Sequence, residues 1–235
     1  MSIVKTNLSD RMQAVFDMIR PCDTAADIGC DHGFVSIALA RSGVAKRVIA
    51  CDVNKGPLKT AGENIARAGF SDRIETRLGD GLHKITPEDK VDSIVIAGMG
   101  GALMTRILSE GEEIVKNATQ LVLQPQSELF LVRQYIRNIG FHIEKEVFLI
   151  DAGKYYWVMD VRPGKGEYPE GEVLEVYDEF SGYLIENRDP LLSEYIEKSI
   201  NIYEGYLKDM PEGKQGAVRQ KTKKLKLAKE LMTRR

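Results

Sequence analysis

A short apolar run that ends in an acid and a glycine turn places the strongest constraint on this fold. Ala25–Phe34 passes through Asp27 into a turn bounded by Gly29 and Gly33, and a helix-like stretch follows. Glycine lets a backbone turn sharply and approach a ligand, and the first N–H groups of a helix lack partners within it. The pattern is typical of a doubly wound α/β domain, in which ligands bind beyond the carboxyl ends of parallel strands.

Four more strand-like runs follow, each closed by polar or glycine-rich residues. They are Arg47–Asp52, Arg73–Leu78, Val91–Ile96 and Thr119–Leu123. Helix-like segments alternate with them at Val35–Arg41, Pro57–Ala68, Ala102–Glu110 and Glu128–Asn138. Strict alternation of strand and helix favours right-handed crossovers and a parallel sheet covered on both faces.

The pattern changes after Gly140. Phe141–Ile150 and Tyr155–Val161 are strand-like and are joined by only four residues. So short a link requires an antiparallel hairpin, because a parallel return needs a long crossover. The sequence therefore predicts a Rossmann-like, seven-stranded sheet of five parallel strands and a hairpin, in a domain of residues 1–163.

A helix is also predicted before the first strand. Apolar residues recur at helical spacing between Leu8 and Ile19, and Pro21 ends the pattern. Asn7 and Ser9 are both candidates for the N-cap of this helix.

Charge divides sharply in the C-terminal part, residues 164–235. The stretch Pro163–Pro211 carries twelve acidic against four basic residues, and Glu212–Arg235 carries nine basic against two acidic. Helical patterns cover Pro190–Lys208 and Lys214–Arg234, with a Pro-Glu-Gly turn between them. An acidic and a basic helix joined by a tight turn predict an antiparallel, coiled-coil-like helical hairpin.

Composition limits the compartment and the broad function class. A net charge of −2 gives no overall nucleic-acid signature, so any such signal must be local. Three cysteines without Cys-x-x-Cys spacing argue against a disulfide framework or a zinc site. The first residues lack the apolar core of a signal peptide, and no apolar run is long enough to span a membrane. These features predict a cytoplasmic protein. A monomer or weak oligomer is expected, although the sequence leaves the oligomeric state open.

The motifs together resemble one enzyme family. The acid-led glycine turn resembles motif I of the class I S-adenosylmethionine (SAM) methyltransferases. The wider set resembles the bacterial tRNA (adenine-22-N1) methyltransferases over nearly the whole chain. Its members are Leu8–Met12, Asp27–Gly33, Gly79–Leu82, Ala97–Gly101 and Gln124–Gln126. The resemblance implies SAM as cofactor, tRNA as partner and no metal.

The resemblance also implies a set of cofactor contacts. Asp27 would organise the methionine amino group, and the glycine turn would lie along the cofactor. Asp52, at the tip of the second strand, would accept both ribose hydroxyls. Asp80 would read the adenine amine, helped by the Leu82 backbone. The remaining predicted cofactor contacts are Gly29, Cys30, Gly33, Val53, Gly81, Ala97 and Gly98.

The acceptor side is less constrained. Met99 follows the fourth strand, where the methyl donor should face its acceptor. Asp31 and His32 are candidates for direct contact with cofactor or substrate, while Asp31 could instead cap the next helix and His32 could be a loop histidine bonded to backbone. Gln124 and Gln126 either line the base pocket or form a polar turn.

The implied chemistry needs little acid–base help. Adenine N1 already carries a lone pair, so the reaction is an in-line displacement at the sulfonium methyl without a strong general base. The protein must orient the reactants and exclude water. Because N1 lies on the Watson–Crick edge, a paired adenine must be exposed or flipped first.

The basic C-terminal helix allows two interpretations. Its cations could be a solvated face or could neutralise the acidic helix. Their number and close spacing favour a stripe that follows RNA phosphates. The predicted substrate-binding residues here are Arg219, Lys221, Lys223, Lys224 and Lys226, with Lys229 on the same helix.

Rival functions remain open from the sequence. A methyltransferase fold that only holds nucleotide or RNA is possible, although acids at all three expected positions weigh against it. A small-molecule or protein methyltransferase is a second rival, and the basic tail weighs against that. A dinucleotide oxidoreductase is disfavoured because Asp31 stands where its pattern needs glycine. Cys51 is predicted to be a buried strand residue, and neither His83 nor His142 belongs to a metal-like cluster.

Overall fold

The computed structural model describes residues 8–234, which form two compact units that divide between Lys165 and Gly166. The first unit contains one seven-stranded sheet in the order β3-β2-β1-β4-β5-β7-β6. Its strands are β1 Cys22–Ile28, β2 Ala45–Asp52, β3 Ile74–Leu78, β4 Ser93–Gly100, β5 Gln120–Ser127, β6 Phe141–Asp151 and β7 Lys154–Pro163. The first five strands are parallel, and β7 pairs antiparallel with both β5 and β6. The predicted fold class is confirmed.

Helices cover the sheet between successive strands. Those of the first unit are α1 Asp10–Met18, α2 Phe34–Ser42, α3 Lys55–Ala68, α4 Gly101–Glu110, α5 Glu112–Asn117 and α6 Leu129–Asn138. Two apolar cores form, because the central strands bury side chains on both faces. Ala26 and Ile28 of β1 belong to one core, and Ala25 belongs to the other. This two-sided burial explains why the strands read as continuous apolar runs.

Helix α1 begins at the second of its two candidate caps. The Ser9 Oγ accepts the backbone N–H of Met12 at 3.4 Å, and the helix ends at Met18. The other candidate, Asn7, lies outside the described residues. Val15 and Met18 are the buried residues of α1. The predicted apolar face of this helix therefore packs into one of the two cores of the first unit.

The second unit contains α7 Gly171–Phe180, α8 Gly182–Glu186, α9 Pro190–Asp209 and α10 Gly216–Thr233. The Asp189 carboxylate caps α9 by accepting the Leu192 N–H at 2.8 Å. Ion pairs join Lys226 to Glu204 and Lys229 to Glu197, so α9 and α10 run antiparallel. Helices α7 and α8 were not predicted, and both pack against α10. The unit is therefore larger than the expected hairpin.

The predicted domain boundary after residue 163 lies two residues from the division between the compact units. The assignment of separate roles to the two parts stays a prediction. Among the described residues, no helix is both long enough and apolar enough to cross a membrane.

Candidate active site

A cavity of about 630 Å³ opens at the carboxyl ends of β1, β2 and β4. Strand β1 lies between β2 and β4 in the sheet. The chain therefore moves across the sheet in one direction from β1 to β2 and in the other direction from β3 to β4, and a crevice forms at this point. Most of the predicted site residues line this cleft. They are Asp27, Gly29, Cys30, Asp31, His32, Asp52, Val53, Asp80, Gly81, Ala97, Gly98, Met99 and Gln126.

Three of the residues predicted to contact the cofactor or the target base do not line the cleft. Gly33 is the N-cap residue of α2, and a Cβ there would lie 3.2 Å from the Ala61 Cβ of α3. The absence of a side chain at Gly33 therefore permits α2 and α3 to pack closely. The Leu82 side chain is buried in the core. Gln124 is fully buried behind the cleft surface.

The turn after β1 is fixed by backbone hydrogen bonds. The N–H groups of Gly29 and Cys30 both donate to the Cys51 carbonyl of β2, at 2.8 and 2.9 Å. Gly29 has a φ of +76°, which favours glycine, and a Cβ on it would collide with the Met99 side chain. Close backbone approach is thus built into the floor of the cleft.

The two buried cysteines near the cleft are inert. Burial raises the pKa of the Cys51 thiol to about 12 and raises that of Cys30 even further above its ordinary value. A nucleophilic cysteine needs an accessible thiolate, which neither residue offers near neutral pH. This agrees with the expectation that Cys51 is a buried strand residue.

Asp52 is held rigidly at the end of β2. Its carboxylate accepts the Asn54 N–H at 2.8 Å and the Asp31 N–H at 3.2 Å, and the residue is 7% exposed. A carboxylate offers about four acceptor positions. Two therefore remain for ligand hydroxyls.

Asp27 is buried at the end of β1. The Ser36 Oγ of α2 donates to its carboxylate at 2.6 Å. Burial raises the pKa of Asp27 to about 6, and the Ser36 hydrogen bond opposes that rise by favouring the charged form. Asp27 is therefore a cleft carboxylate that titrates just below neutrality.

Asp80 already has a cationic partner that the sequence analysis missed. The Arg106 guanidinium of α4 donates to both carboxylate oxygens of Asp80, at 3.1 and 3.2 Å, and to Glu110 at 2.8 Å. The Arg106 hydrogen bonds hold the pKa of Asp80 below its usual range. The available signal was the i,i+4 spacing of Arg106 and Glu110 on one predicted helix.

The surroundings of Asp80 contradict the expectation that His83 belongs to no cluster of possible metal ligands. Ligand atoms of Asp80, His83 and Glu110 all lie within 4.8 Å of one another. However, Arg106 already pairs with both carboxylates. A cation would have to displace that guanidinium, so we assign no metal to the cluster.

Asp31 and His32 project from the turn into the open part of the cleft. The His32 Nε2 lies 3.6 Å from an Asp31 carboxylate oxygen, and both side chains are about half exposed or more. The alternative that Asp31 caps α2 is wrong, because α2 has Gly33 as N-cap residue and no side-chain capping bond. Asp31 also adopts a φ of +49°, an uncommon conformation for a residue with a side chain.

Gln124 supports the wall of the cleft beside the end of β4 from behind. Its Oε1 accepts the Gly98 N–H at 3.0 Å and the Arg11 Nη1 at 2.8 Å. The Arg11 guanidinium also lies 5.1 Å from the centre of the Tyr156 ring. Thus Gln124 positions Gly98 and Arg11, which line the cleft, instead of lining it itself. Arg11 belongs to the Leu8–Met12 motif, but the sequence did not predict this role for it.

Strand β4 is irregular where it reaches the cleft. Its register with β5 shifts on either side of Met99, and Gly98 has a φ of +78°. A bulge of this kind re-aims side chains at the end of a strand. It directs Met99 over Gly29 on the cleft floor, while the position of Met99 between methyl donor and acceptor stays a prediction.

The basic stripe of α10 is internally paired. Lys221 lies 2.5 Å from Glu179 of α7, and Lys226 lies 2.7 Å from Glu204 of α9. The other pairs are Lys223 with Glu172, Lys224 with Glu175 and Glu179, and Lys229 with Glu197. The number of these cations does not by itself favour phosphate binding, because α7 supplies additional acids that pair with them, and contact with tRNA stays a prediction. The Arg219 guanidinium donates to Gln215.

Comparison with known proteins agrees with this geometry. Residues 8–159 match the model of a methyltransferase domain. The tRNA (adenine(22)-N(1))-methyltransferase of Bacillus subtilis is 32% identical over 157 residues, which cover 67% of this chain and 66% of that protein. The sequence match thus spans slightly less than two thirds of that relative.

Solved structures match over nearly the full length. A crystal structure of a putative tRNA (m1A22) methyltransferase from Streptococcus pneumoniae has 30% identity and a TM-score of 0.87, covering 96% of this chain and 99% of that one. A crystal structure of that protein in complex with SAM has 29% identity and a TM-score of 0.84, covering 94% and 99%. The chain described here therefore belongs to the class I SAM-dependent methyltransferases and, within them, to the tRNA (adenine-22-N1) methyltransferase family.

Proposed function

We propose that this protein transfers a methyl group from SAM to N1 of an adenine in tRNA, at position 22 as in its named relatives. The observation that carries the proposal is the meeting of Asp27, Asp52 and Asp80 around one glycine-floored cleft. The cleft continues past these acids to Gly98, Met99 and Gln126, and a protein that only bound a nucleotide would not require this additional open space.

The residues present fit SAM. Asp52 keeps free acceptor positions for two ribose hydroxyls, and Asp27 offers a buried carboxylate to an ammonium group. Gly29 keeps the turn between these two acids free of a side chain, and its φ of +76° favours glycine. When bound, SAM supplies an electrophilic methyl group on a sulfonium. We assign the adenine end to Asp80, Gly81 and the Leu82 backbone.

The acceptor end is assigned to residues around the β4 bulge. The Gln124 amide holds Gly98 and Arg11 in place, so the cleft wall is preorganised there. Gln126 and Met99 face the cleft and are assigned to the target base. Asp31 and His32 are assigned to positioning at its rim. No residue is required to remove a proton, because adenine N1 attacks through its own lone pair.

The direct test is incubation of the protein with an unmodified tRNA transcript and SAM, followed by mapping of methylated nucleotides by mass spectrometry. We expect one 1-methyladenine at position 22. A transcript with guanine at position 22 is the matched control. Methylation that persists in this control would overturn the position, and no methylation of any tRNA would favour a binding module.

Asp27 predicts a pH-dependent cofactor affinity. Its pKa near 6 means that acid converts the carboxylate to a neutral group that no longer attracts an ammonium. SAM binding favours the ionised form, so the affinity should fall roughly tenfold between pH 7 and pH 5. Calorimetry across this range measures it.

Ser36→Ala provides the matched variant for this prediction. The Ser36 hydroxyl stabilises the charged form of Asp27, so its loss should move the midpoint of the affinity change to higher pH. Asp27→Asn should bind weakly with a flatter profile over the same range. A profile in Asp27→Asn as steep as that of the wild type would assign the effect to another group.

The stripe on α10 stays a proposed tRNA contact, and its ion pairs suggest a sharp test. If Lys223 and Lys226 bind phosphates, replacing both by glutamine should make the slope of log affinity against log salt shallower by roughly 0.7 to 0.9 for each phosphate that is no longer neutralised. Replacing their partners Glu172 and Glu204 by glutamine should then strengthen binding, because the lysines are released. Unchanged affinity in both variants would make the stripe purely structural.

A further inference from the structure

A second cavity of about 320 Å³ lies beside the cleft, and neither the sequence analysis nor the comparisons assign it a role. One face of α2 and one face of α3 form its walls. We call this cavity the α2–α3 groove; its lining residues are Leu8, Phe34, Ile37, Ala38, Arg41, Asn64, Arg67 and Ala68. Leu8 and Phe34 line both the groove and the cleft, so the two cavities are contiguous.

The groove combines an aromatic floor with a cationic edge. Phe34 is 53% exposed although it is large and apolar, which is unusual at the start of a helix that otherwise buries most of its residues. Arg41 follows seven residues later on the same helical face. Arg67 stands on α3 at the opposite wall.

The two arginines retain available charge. The Arg67 guanidinium donates to the neutral Asn64 amide at 3.2 Å, and that of Arg41 lies 5.9 Å from the centre of the Phe70 ring. Within residues 8–234, neither forms an ion pair with a carboxylate. The lysines of α10, by contrast, each have an acidic partner. Free positive charge is therefore found next to the cleft.

We propose that the α2–α3 groove binds a nucleotide of the tRNA substrate adjacent to the target adenine, with its base against Phe34 and its phosphate at Arg41 and Arg67. An exposed aromatic ring beside arginines is the arrangement that binds unpaired nucleotides, because every base can stack and every phosphate is anionic. A target adenine taken out of its stack leaves such neighbours unstacked. The inference rests on the proposed function and adds the binding site for RNA that flanks the target.

The charge arm of the test replaces Arg41 and Arg67 together by glutamine. Binding of an unmodified tRNA transcript is measured at several salt concentrations with S-adenosylhomocysteine present. We expect the affinity to fall on the order of tenfold or more, with a salt slope shallower by roughly 0.7 to 0.9 for the one phosphate that is no longer neutralised. The SAM affinity of the same variant, measured by calorimetry, checks that the cleft is intact.

A matched control removes two positive charges at the opposite edge of the sheet. Lys46 is the second residue of β2 and Lys116 lies in the last turn of α5, which precedes β5, so both lie near the amino ends of the parallel strands. Each forms an exposed ion pair, with Asp23 and Glu112 respectively, that contributes little to stability. Lys46→Gln with Lys116→Gln should leave tRNA affinity near that of the wild type. An equal loss in this control would reduce the effect to net charge and overturn the site.

The stacking arm uses Phe34→Leu, which keeps apolar volume but removes the ring. We expect tRNA affinity to fall roughly five- to a hundredfold. Wild-type affinity in this variant would overturn the stacked base, and wild-type affinity and salt slope in the double arginine variant would overturn the phosphate contact. Methylation of tRNA by the wild-type protein is assayed in parallel. If it is absent the proposed function fails, whereas its presence with unaffected variants rejects only the groove.

Discussion

Replacing Asp52 by alanine should weaken SAM binding by roughly ten- to more than a hundredfold. The carboxylate is proposed to accept two ribose hydroxyls, and loss of a hydrogen-bonded charged group costs on the order of 1.5–3 kcal/mol. Because Asp52 lies at the end of a strand and its two protein partners are backbone N–H groups near solvent, the fold should persist. Calorimetric titration with SAM measures the effect.

Asp92 offers a matched control for this variant. Its carboxylate also accepts two backbone N–H groups, those of Asp23 at 2.9 Å and Thr24 at 3.0 Å, but it lies near the amino ends of β1 and β4. Asp92→Ala should therefore lose comparable hydrogen bonds within the protein without a change in SAM affinity. Unaltered SAM binding by a folded Asp52→Ala protein would remove the ribose assignment.

Replacing Gly101 by alanine should destabilise the protein by about 1–3 kcal/mol and lower methylation further than stability alone explains. A Cβ on Gly101 would lie 2.5 Å from the Glu128 carbonyl oxygen and 2.8 Å from that of Ser127. These are backbone atoms, so the end of β5 and the residue that follows it must move. Gln126, assigned to the target base, directly precedes Ser127 in β5.

Gly100→Ala is the control variant, because it separates the effect of steric crowding from the effect of losing a glycine. Gly100 has an ordinary extended backbone, with φ −68° and ψ 152°. A Cβ there would lie 3.1 Å from the Ser127 hydroxyl, which can rotate away, and at an ordinary contact distance of 3.9 Å from the Glu128 carboxylate. Thermal unfolding and single-turnover methylation of both variants give the comparison. If Gly101→Ala retained the melting temperature of Gly100→Ala, the close approach of backbone would not matter.

The sheet was predictable because its pattern is set by burial. Strands of a parallel sheet are covered on both faces, so β1, β4 and β5 read as continuous apolar runs between polar ends. The four residues between the last two predicted strands indicated an antiparallel hairpin, because a parallel connection needs a longer crossover. Helices α7 and α8 were missed because Gly171–Phe180 is amphipathic but short and highly acidic. Its acids pair with cations of α10 that lie 42 and 51 residues later, a contact that local sequence does not reveal.

The cleft was only partly predictable, because sequence places strand ends together but does not reveal what side chains do there. Asp27, Asp52 and Asp80 all reach the cleft. The hydrogen bonds that Gln124 forms to Gly98 and Arg11 could not be foreseen, since they join residues up to 113 positions apart. The ion pair of Arg106 with Asp80 links a helix to a loop 26 residues earlier. Such contacts depend on how separate elements pack.

The ion pair between Arg106 and Asp80 has a consequence for discrimination among nucleosides. A ligand that approaches Asp80 must compete with a guanidinium that already engages both of its oxygens. Only a ligand with its own N–H donor can replace the hydrogen bonds that Arg106 gives up, as the exocyclic amine of adenine can. A nucleoside with a carbonyl at that position would present an acceptor to an acceptor and would leave Arg106 in place. On the proposed assignment of Asp80 to the adenine amine, the pair would act as a selectivity filter, because a base that cannot donate a hydrogen bond there would gain no contact with Asp80.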